Sequence, residues 1–323
     1  MRWIERHWQH DTLASRLLAP VSWLYCAAVA LNRQLYRLEW RRAVAFPVPV
    51  IVVGNLTVGG TGKTPLVLWI VRYLQARGRS PGIITRGYGG RARAWPQLVT
   101  PYSDPAAVGD EPVLLARRSG VPVVADPDRP RGVRWLLAHE CDVVVSDDGL
   151  QHHRLKGDVE IAVVDGERRF GNGRCLPAGP LREPLSRLAR VHAVVIHGAG
   201  AAGAWSMRLE PVGFRRVADP DEAAPLDAFG ARTVHGVAGI GHPPRFFALL
   251  RRLGLEVIEH PFPDHYRFRP EDLRFDDDRD VIMTEKDAVK CRTFADARMW
   301  YLAVEADTDA RFGEWLAQRL AKG

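Results

Sequence analysis

Residues 57–64 read TVGGTGKT, three glycines within four positions followed by a lysine and a threonine. The run lies inside VIVVGNLTVGGTGKTPLVLWI, a β-branched strand pattern, a glycine loop and a helical pattern in succession. That succession is the context a phosphate-binding loop requires. Glycines let backbone N–H groups turn inward around phosphate oxygens without side-chain obstruction, and the start of the next helix adds partial positive charge. Thr57, Val58, Gly59, Gly60, Thr61, Gly62, Lys63 and Thr64 are therefore read as the cradle of a nucleotide. Lys63 would reach the β- and γ-phosphates, and the Thr64 hydroxyl would serve Mg²⁺. The strict G-x-x-x-x-G-K-[ST] pattern has glycine where this chain has Thr57. The strand–loop–helix context and the GGTGKT core outweigh that departure and the competing reading of a purely structural turn.

About eighty residues downstream, CDVVVSDDG (141–149) is a hydrophobic strand pattern ending in Asp147 and Asp148. A carboxylate at such a strand end can hold Mg²⁺, directly or through water. Strands also end in plain Asp-Gly turns, but two adjacent carboxylates repel unless a cation faces one of them. Which of the two would touch metal is open. Among P-loop proteins, GTPases need NKxD and DxxG. Thr284-Glu285-Lys286-Asp287 has the wrong order for the first, and Asp147-Asp148-Gly149-Leu150 lacks the glycine of the second. The partitioning ATPases carry lysine where this chain has Val58. A kinase acting on a separate acceptor remains, and it needs an acid/base for the acceptor hydroxyl and cations for the transferred charge.

Several segments offer those parts. Gly109-Asp110-Glu111-Pro112 puts two carboxylates on what reads as a tight turn, either solvated or presenting Asp110 as a base. Phe262-Pro263-Asp264-His265-Tyr266 offers a histidine that could orient a carboxylate. Arg86, in RGYGG after a strand, could clamp phosphate. LPAGPLREP (176–184) is expected to open a helix near Leu181, with Arg182 and Glu183 facing a ligand or solvent. The TEKD segment (284–287) ends a strand and reads equally as a helix-capping turn or as charges in a cleft.

The elements that must position these residues follow from the whole chain. At 323 residues it exceeds one usual core, which predicts two domains. From Val48 onward, apolar strand patterns alternate with helical stretches, the mark of a parallel sheet covered on both faces. After a Gly/Ala link beyond His197 comes a second α/β unit. It is flanked by WSMRLEPV (205–212) and MWYLAVEA (299–306), expected to pair as a two-stranded linker. The four cysteines stand singly, without zinc spacing, as reduced packing residues do.

Residues 1–42 carry seven arginines against three acids, around an apolar run from Trp23 to Leu31 that is too short to span a bilayer. With Trp3, Trp8, Trp23 and Tyr25 they suit a helix lying in an anionic membrane interface, or a helix pair packed on the core. There is no secretory h-region. A net charge of +7 fits nucleic acid, membrane or a phosphate-rich ligand alike. The basic residues gather beside an apolar helix and no nucleic-acid-binding module is present, so no nucleic-acid partner is expected.

Taken in order, VGNLTVGGTGKTP, TRGYGG, VGDEP, DDGLQH, LPAGPLREP, DHY and TEKDAVK make the chain resemble the tetraacyldisaccharide 4'-kinase family, the lipid A 4'-kinases of Gram-negative bacteria. The resemblance covers nearly the whole chain. It departs at Leu150, where the family pattern leads one to expect phenylalanine. It implies ATP-dependent, Mg²⁺-assisted phosphorylation of the 4'-hydroxyl of a tetraacylated glucosamine disaccharide 1-phosphate, by a peripheral protein at the cytoplasmic face of the inner membrane. It implies an α/β fold with a P-loop core (43–205), a smaller α/β domain with linker strands (206–306) and a C-terminal helix (307–323), preceded by the interfacial region 1–42. Carried over residue by residue, it makes Asp110 the general base with His265 its partner, and Glu183 a further active-site acid. Lys63 and Thr64 serve nucleotide and Mg²⁺, and Asp147 and Asp148 are the metal-side pair. Asn55 and Arg86 fall to the substrate. The alternative is a membrane-associated P-loop ATPase switch without a lipid acceptor.

Overall fold

The structure is a computed structural model that describes residues 7–198 and 200–321. Arg2, Trp3, Glu5 and Arg6 of the basic N-terminal segment lie outside the described residues. The strands in chain order are β1 (Val50–Gly54), β2 (Pro81–Thr85), β3 (Gln97–Val99), β4 (Val123–Ala125), β5 (Val143–Asp147), β6 (Val159–Asp165) and β7 (Ala193–His197). They continue as β8 (Trp205–Arg216), β9 (Ala223–Ala224), β10 (Thr233–Ala238), β11 (Glu256–Pro261), β12 (Val281–Thr284) and β13 (Met299–Thr308).

These strands form one sheet, in the order β11-β10-β12-β13-β8-β7-β6-β1-β5-β2-β4-β3, with β9 attached to β8. From β7 to β4 every neighbour is parallel, and β3 closes that edge antiparallel. Because β1, β5, β2, β6 and β7 run the same way, the residues at their C-terminal ends share one rim. In open α/β sheets that rim is where ligands bind. The register Val53↔Asp147 sets the start of the glycine loop beside the end of β5.

The expected linker forms as a long antiparallel ladder of β8 with β13, from Trp300↔Arg216 to Thr308↔Met207. The sheet does not break there, since β8 also pairs with β7 in parallel. The Gly/Ala segment after His197 therefore returns the chain to the same sheet rather than to a detached domain. The ladder shifts register at Ala303/Val304, opposite Gly213, so a bulge lies in the strand pair that joins the two α/β units.

The helix Lys63–Gln75 buries Leu66, Val67, Ile70, Val71 and Leu74, the spacing of one helical face, on the core sheet. The C-terminal helix Ala310–Leu320 docks on that helix and on the linker. Phe312 is fully buried, with ring centroids 5.5 Å from Trp69 and 5.7 Å from both Trp205 and Trp315.

Among the described residues no helix is long and apolar enough to cross a membrane. The helix Ala19–Arg37 is two-faced. Ser22 donates from Oγ to the Cys175 carbonyl at 2.6 Å, and the Tyr25 hydroxyl donates to the Arg182 carbonyl at 2.9 Å. Away from that face Val21, Leu24 and Leu31 stand exposed at spacings of three and seven, beside exposed Trp23, and Leu13 and Leu17 of the preceding short helix Leu13–Leu17 and Leu38 and Trp40 after the helix end are exposed as well.

Phe312→Ala should cost about 3–5 kcal/mol, since it empties a fully buried aromatic position at a three-way junction. Chemical denaturation reads the loss, and a cost under about 1 kcal/mol would show that the C-terminal helix is not part of the cooperative core.

Candidate active site

The glycine loop links the end of β1 to the helix beginning at Lys63. Gly59 (φ 98°) and Gly62 (φ 90°) occupy the left-handed region that favours glycine. Thr57 does not: it forms an antiparallel bridge with Leu181, and its neighbours carry the bonds Val58 N–H to Pro180 O (2.9 Å) and Arg182 N–H to Leu56 O (2.6 Å). Extended backbone accepts a β-branched residue, which accounts for threonine where the strict motif has glycine. LPAGPLREP thus props the loop from outside. The helix expected near Leu181 is absent: Leu181 is held in bridges, and a short 3-10 turn, Leu185–Arg190, begins only after Pro184.

The adjacent carboxylates at the end of β5 have separate surroundings. Asp148 takes a left-handed backbone (φ 48°), which turns the chain between them. Lys63 Nζ lies 3.5 Å from Asp148 Oδ1, and Arg182 Nη1 lies 3.0 Å from Asp148 Oδ2. Burial raises the Asp148 carboxyl, but Lys63 and Arg182 outweigh it and hold it at about 2. Asp147 is buried, and among the described residues neither of its oxygens has a hydrogen-bond partner. Burial, with Glu111 adding, pushes it up to about 7 against the pull of Lys63. Thr61 Oγ1 and Asn55 Oδ1, beside the loop, are likewise buried without partners among the described residues, while Asn55 Nδ2 donates to the Gly59 carbonyl at 3.2 Å.

Asp110 is not on a solvated turn. It opens the helix Asp110–Ser119 after Gly109 and is only 6% exposed. His265 arrives from the loop after β11, itself at φ 58°, and its Nδ1–H donates to the Asp110 carboxylate at 3.1–3.2 Å. Lys286 Nζ donates to Asp264 Oδ1 at 3.3 Å and to Glu111 Oε1 at 3.1 Å, and lies 3.3 Å from His265 Nε2. Burial pushes Asp110 up, yet the His265 hydrogen bond and the Lys286 charge bring it down to about 2. The same hydrogen bond raises His265 above its ordinary value, against burial and Lys286. The TEKD segment meets both expectations. Thr284 Oγ1 caps the helix Glu285–Cys291 by accepting from Asp287 N–H, while Lys286 reaches into the cleft.

The other sequence-predicted residues divide. Glu183 is buried, accepts from Gln151 Nε2 at 3.0 Å and is raised by burial against that bond and Arg187. Arg86 is exposed at the end of β2. Thr64 stands in the first turn after Lys63. Leu150 is buried over Gly54, so the departure there stays in the packing beneath the loop.

Sequence reasoning missed five residues. Arg129 is fully buried and binds the Ile84 and Asp148 carbonyls and Ser146 Oγ, bracing the end of β5. Asp165, ending β6, takes Arg245 from the second α/β unit at 2.9 Å, and Arg168 donates from that corner to the Gly60 carbonyl. Gly241 approaches so closely that a Cβ there would lie 2.9 Å from Gly60 N. Only the strand-ending Asp165 carried a signal, the same one used for Asp147.

Among the described residues no group of three or more His, Cys, Asp and Glu side chains makes a metal cage. Mg²⁺ in nucleotide sites needs only one or two carboxylates, a hydroxyl and phosphate oxygens. A buried carboxylate with both oxygens unpartnered beside the Lys63–Thr64 turn fits that requirement.

The family model for tetraacyldisaccharide-1-P 4'-kinase matches residues 14–321. The chain is similar to the tetraacyldisaccharide 4'-kinase of Alkalilimnicola ehrlichii, 56% identical over 94% of this chain and 92% of that one. It is also similar to that of Nitrosococcus oceani, 51% identical over 96% and 92%. Among solved structures it resembles LpxK from Aquifex aeolicus, described as an "apo" form in complex with ATP. The TM-score is 0.81 and the identity 28%, over 95% of this chain and 100% of that one. With matches that run end to end and a shared fold, the chain belongs to the tetraacyldisaccharide-1-P 4'-kinase family.

Proposed function

We propose that this chain transfers the terminal phosphoryl group of ATP to the 4'-hydroxyl of a tetraacylated glucosamine disaccharide 1-phosphate, a lipid A precursor. The observation that carries the reading is the buried Asp110–His265 pair, joined by Lys286 and Glu111 to the corner where Asp147 meets the glycine loop. Nothing observed favours an ATPase switch without an acceptor.

In this reading the amides of Gly59–Gly62 and Nζ of Lys63 bind the phosphates, Lys63 leaving Asp148 to Arg182. Thr64 and Asp147, with Asp148 beside them, would hold Mg²⁺, which supplies opposite charge to the phosphate oxygens. Asn55 and Arg86 line the acceptor side, and Glu183 shapes it from the buttress segment. Asp110 receives the hydroxyl proton. A carboxylate held at about 2 does not strip an alcohol in advance. It orients the hydroxyl and takes the proton as the bond to phosphorus forms, the demand of a loose transition state. His265 fixes the carboxylate and keeps it ionised.

The amphiphilic acceptor explains the N-terminal helices. Their outer stripe of leucines and tryptophans, with flanking arginines, suits the interface of an anionic bilayer at the cytoplasmic face of the inner membrane. Their inner face binds the segment that carries Arg182 and Glu183. A lipid held there keeps its acyl chains in the membrane while its sugar meets the cleft.

With labelled ATP, Mg²⁺ and the disaccharide in detergent, label should pass to the lipid; label released only as inorganic phosphate would refute the transfer. Asp110→Asn should lower kcat by about 10²–10⁴ with ATP affinity retained, and normal turnover would remove Asp110 as the base. Leu17→Glu combined with Leu24→Glu should release the protein from anionic vesicles while activity on a detergent-dispersed acceptor persists; unchanged vesicle binding would exclude this face.

The Asp110–His265 pair also sets a pH dependence. His265 is raised in the folded state, so its contribution to stability is complete below about 6.5, the ordinary histidine value. It is lost as pH climbs through the raised folded value. The thermal midpoint should fall over that interval in the parent protein and stay flat in Asp110→Asn. Parallel profiles would show that the pair is not formed.

A further inference from the structure

A second cleft, of about 410 Å³, opens at the other end of the helix that begins with Asp110. Three arginines reach its wall from three parts of the molecule: Arg117 from the last turn of that helix, Arg215 from the linker strand β8, and Arg292 from the end of the helix that carries Lys286. Among the described residues none of the three has a carboxylate partner. Arg117 Nε donates to the Pro101 carbonyl at 2.9 Å, Arg215 Nη1 to the Pro220 carbonyl at 2.9 Å, and Arg292 lies over the Tyr102 ring at 5.3 Å.

The acids lining the cleft are already engaged or turned to solvent. Arg118 holds both oxygens of Glu285 at 2.8 Å, and Arg118 and Arg72 share Glu305 at 3.1 and 2.7 Å. Asp221 is exposed and in no ion pair among the described residues. The wall is therefore left with three guanidinium groups facing one volume. Arg117 is pushed down by burial and then by Arg292, the sign of cations close enough to repel. Tyr301 closes the floor. Burial, with Glu285 adding, pushes its phenol up to about 12, so it remains an O–H donor beside the arginines. Partly desolvated guanidinium groups and one phenol are a donor set for a phosphorylated anion, and the volume is that of a small-ligand site.

We propose that this cleft binds a small phosphorylated anion that bridges the core, the linker and the second α/β unit. Its three arginines converge only while those parts are together, so the anion favours the arrangement in which His265 meets Asp110. By linkage, filling the P-loop side strengthens anion binding by the same factor. Arg215 lies two residues beyond Gly213, where the β8–β13 ladder shifts register, which puts the anion at the joint about which the units would move. The inference rests on the Asp110–His265 contact and not on the identity of the acceptor.

The test is calorimetric titration of inorganic phosphate and of glucose 1,6-bisphosphate, at fixed ionic strength, into the full chain. The P-loop is first filled with Mg²⁺ and a non-hydrolysable ATP analogue. A single saturable site is expected. Arg215→Gln and Arg292→Gln should each weaken it about tenfold or more, the loss of one charge-assisted bond, with thermal midpoint and ATP-analogue affinity unchanged. Arg252→Gln, an exposed arginine elsewhere, should have no effect. Dilution heats alone with both probes, or equal affinity in all variants, would overturn the site. Hydrogen exchange at residues 262–266 should slow when the bisphosphate binds, and unchanged exchange there would overturn the bridging.

Discussion

One hydrogen bond between distant parts of the chain, His265 to Asp110 at 3.1 Å, makes the rest of the structure intelligible. An ionised carboxylate only 6% exposed is costly unless partners replace water. Asp110 opens a helix on the core, whereas its partners His265 and Lys286 belong to the second α/β unit. The charge and the closed arrangement therefore depend on each other. In this arrangement the carboxylate is desolvated but held ionised by an imidazole and an ammonium. Gly241 against Gly60 and Arg245 against Asp165 belong to the same closure, at the loop that would hold the nucleotide.

The fold was largely legible because strand and helix periods are written locally. The helix after the glycine loop, the strand ending in Asp147 and Asp148 and the β8–β13 pairing all lie where hydrophobic spacing puts them. Continuity of the sheet was not legible. The segment GAGAAGA reads as a link whether the next strand starts a new sheet or extends the old one, and only the β7–β8 pairing decides. At the site, single residues with strong local context were found and relationships were not. Asp110 reads as a turn because Gly-Asp-Glu-Pro serves a turn or a helix start equally well. Burial by a loop some 150 residues away has no local trace. Arg129 and Gly241 were missed for the same reason: what they contact is remote in sequence.

The segment 175–183 shows how one stretch can answer to three demands. Its backbone props the glycine loop through Pro180 and Arg182, and its side chains reach Asp148 and Gln151. Its carbonyls accept from Ser22 and Tyr25 of the N-terminal helix. Loops so tied to both neighbours lose their freedom before any ligand arrives, which lowers the ordering cost of binding. The apolar outer stripe and the phosphate loop are thus two faces of one support.

Adjacent aspartates at one strand end would repel if they shared an environment. The left-handed turn at Asp148 sends one carboxylate to Lys63 and Arg182 and leaves the other in a pocket with no donor among the described residues. Their acidities part accordingly, to about 2 and about 7. Lys63 and Arg182 both face the ionised Asp148, and their two positive charges suit the corner to a polyphosphate. Had Asp147 also found an arginine, a metal would have to displace a salt bridge to enter. Leaving that carboxylate unpaired costs stability, and it is the reason the corner suits a cation and a polyanion together.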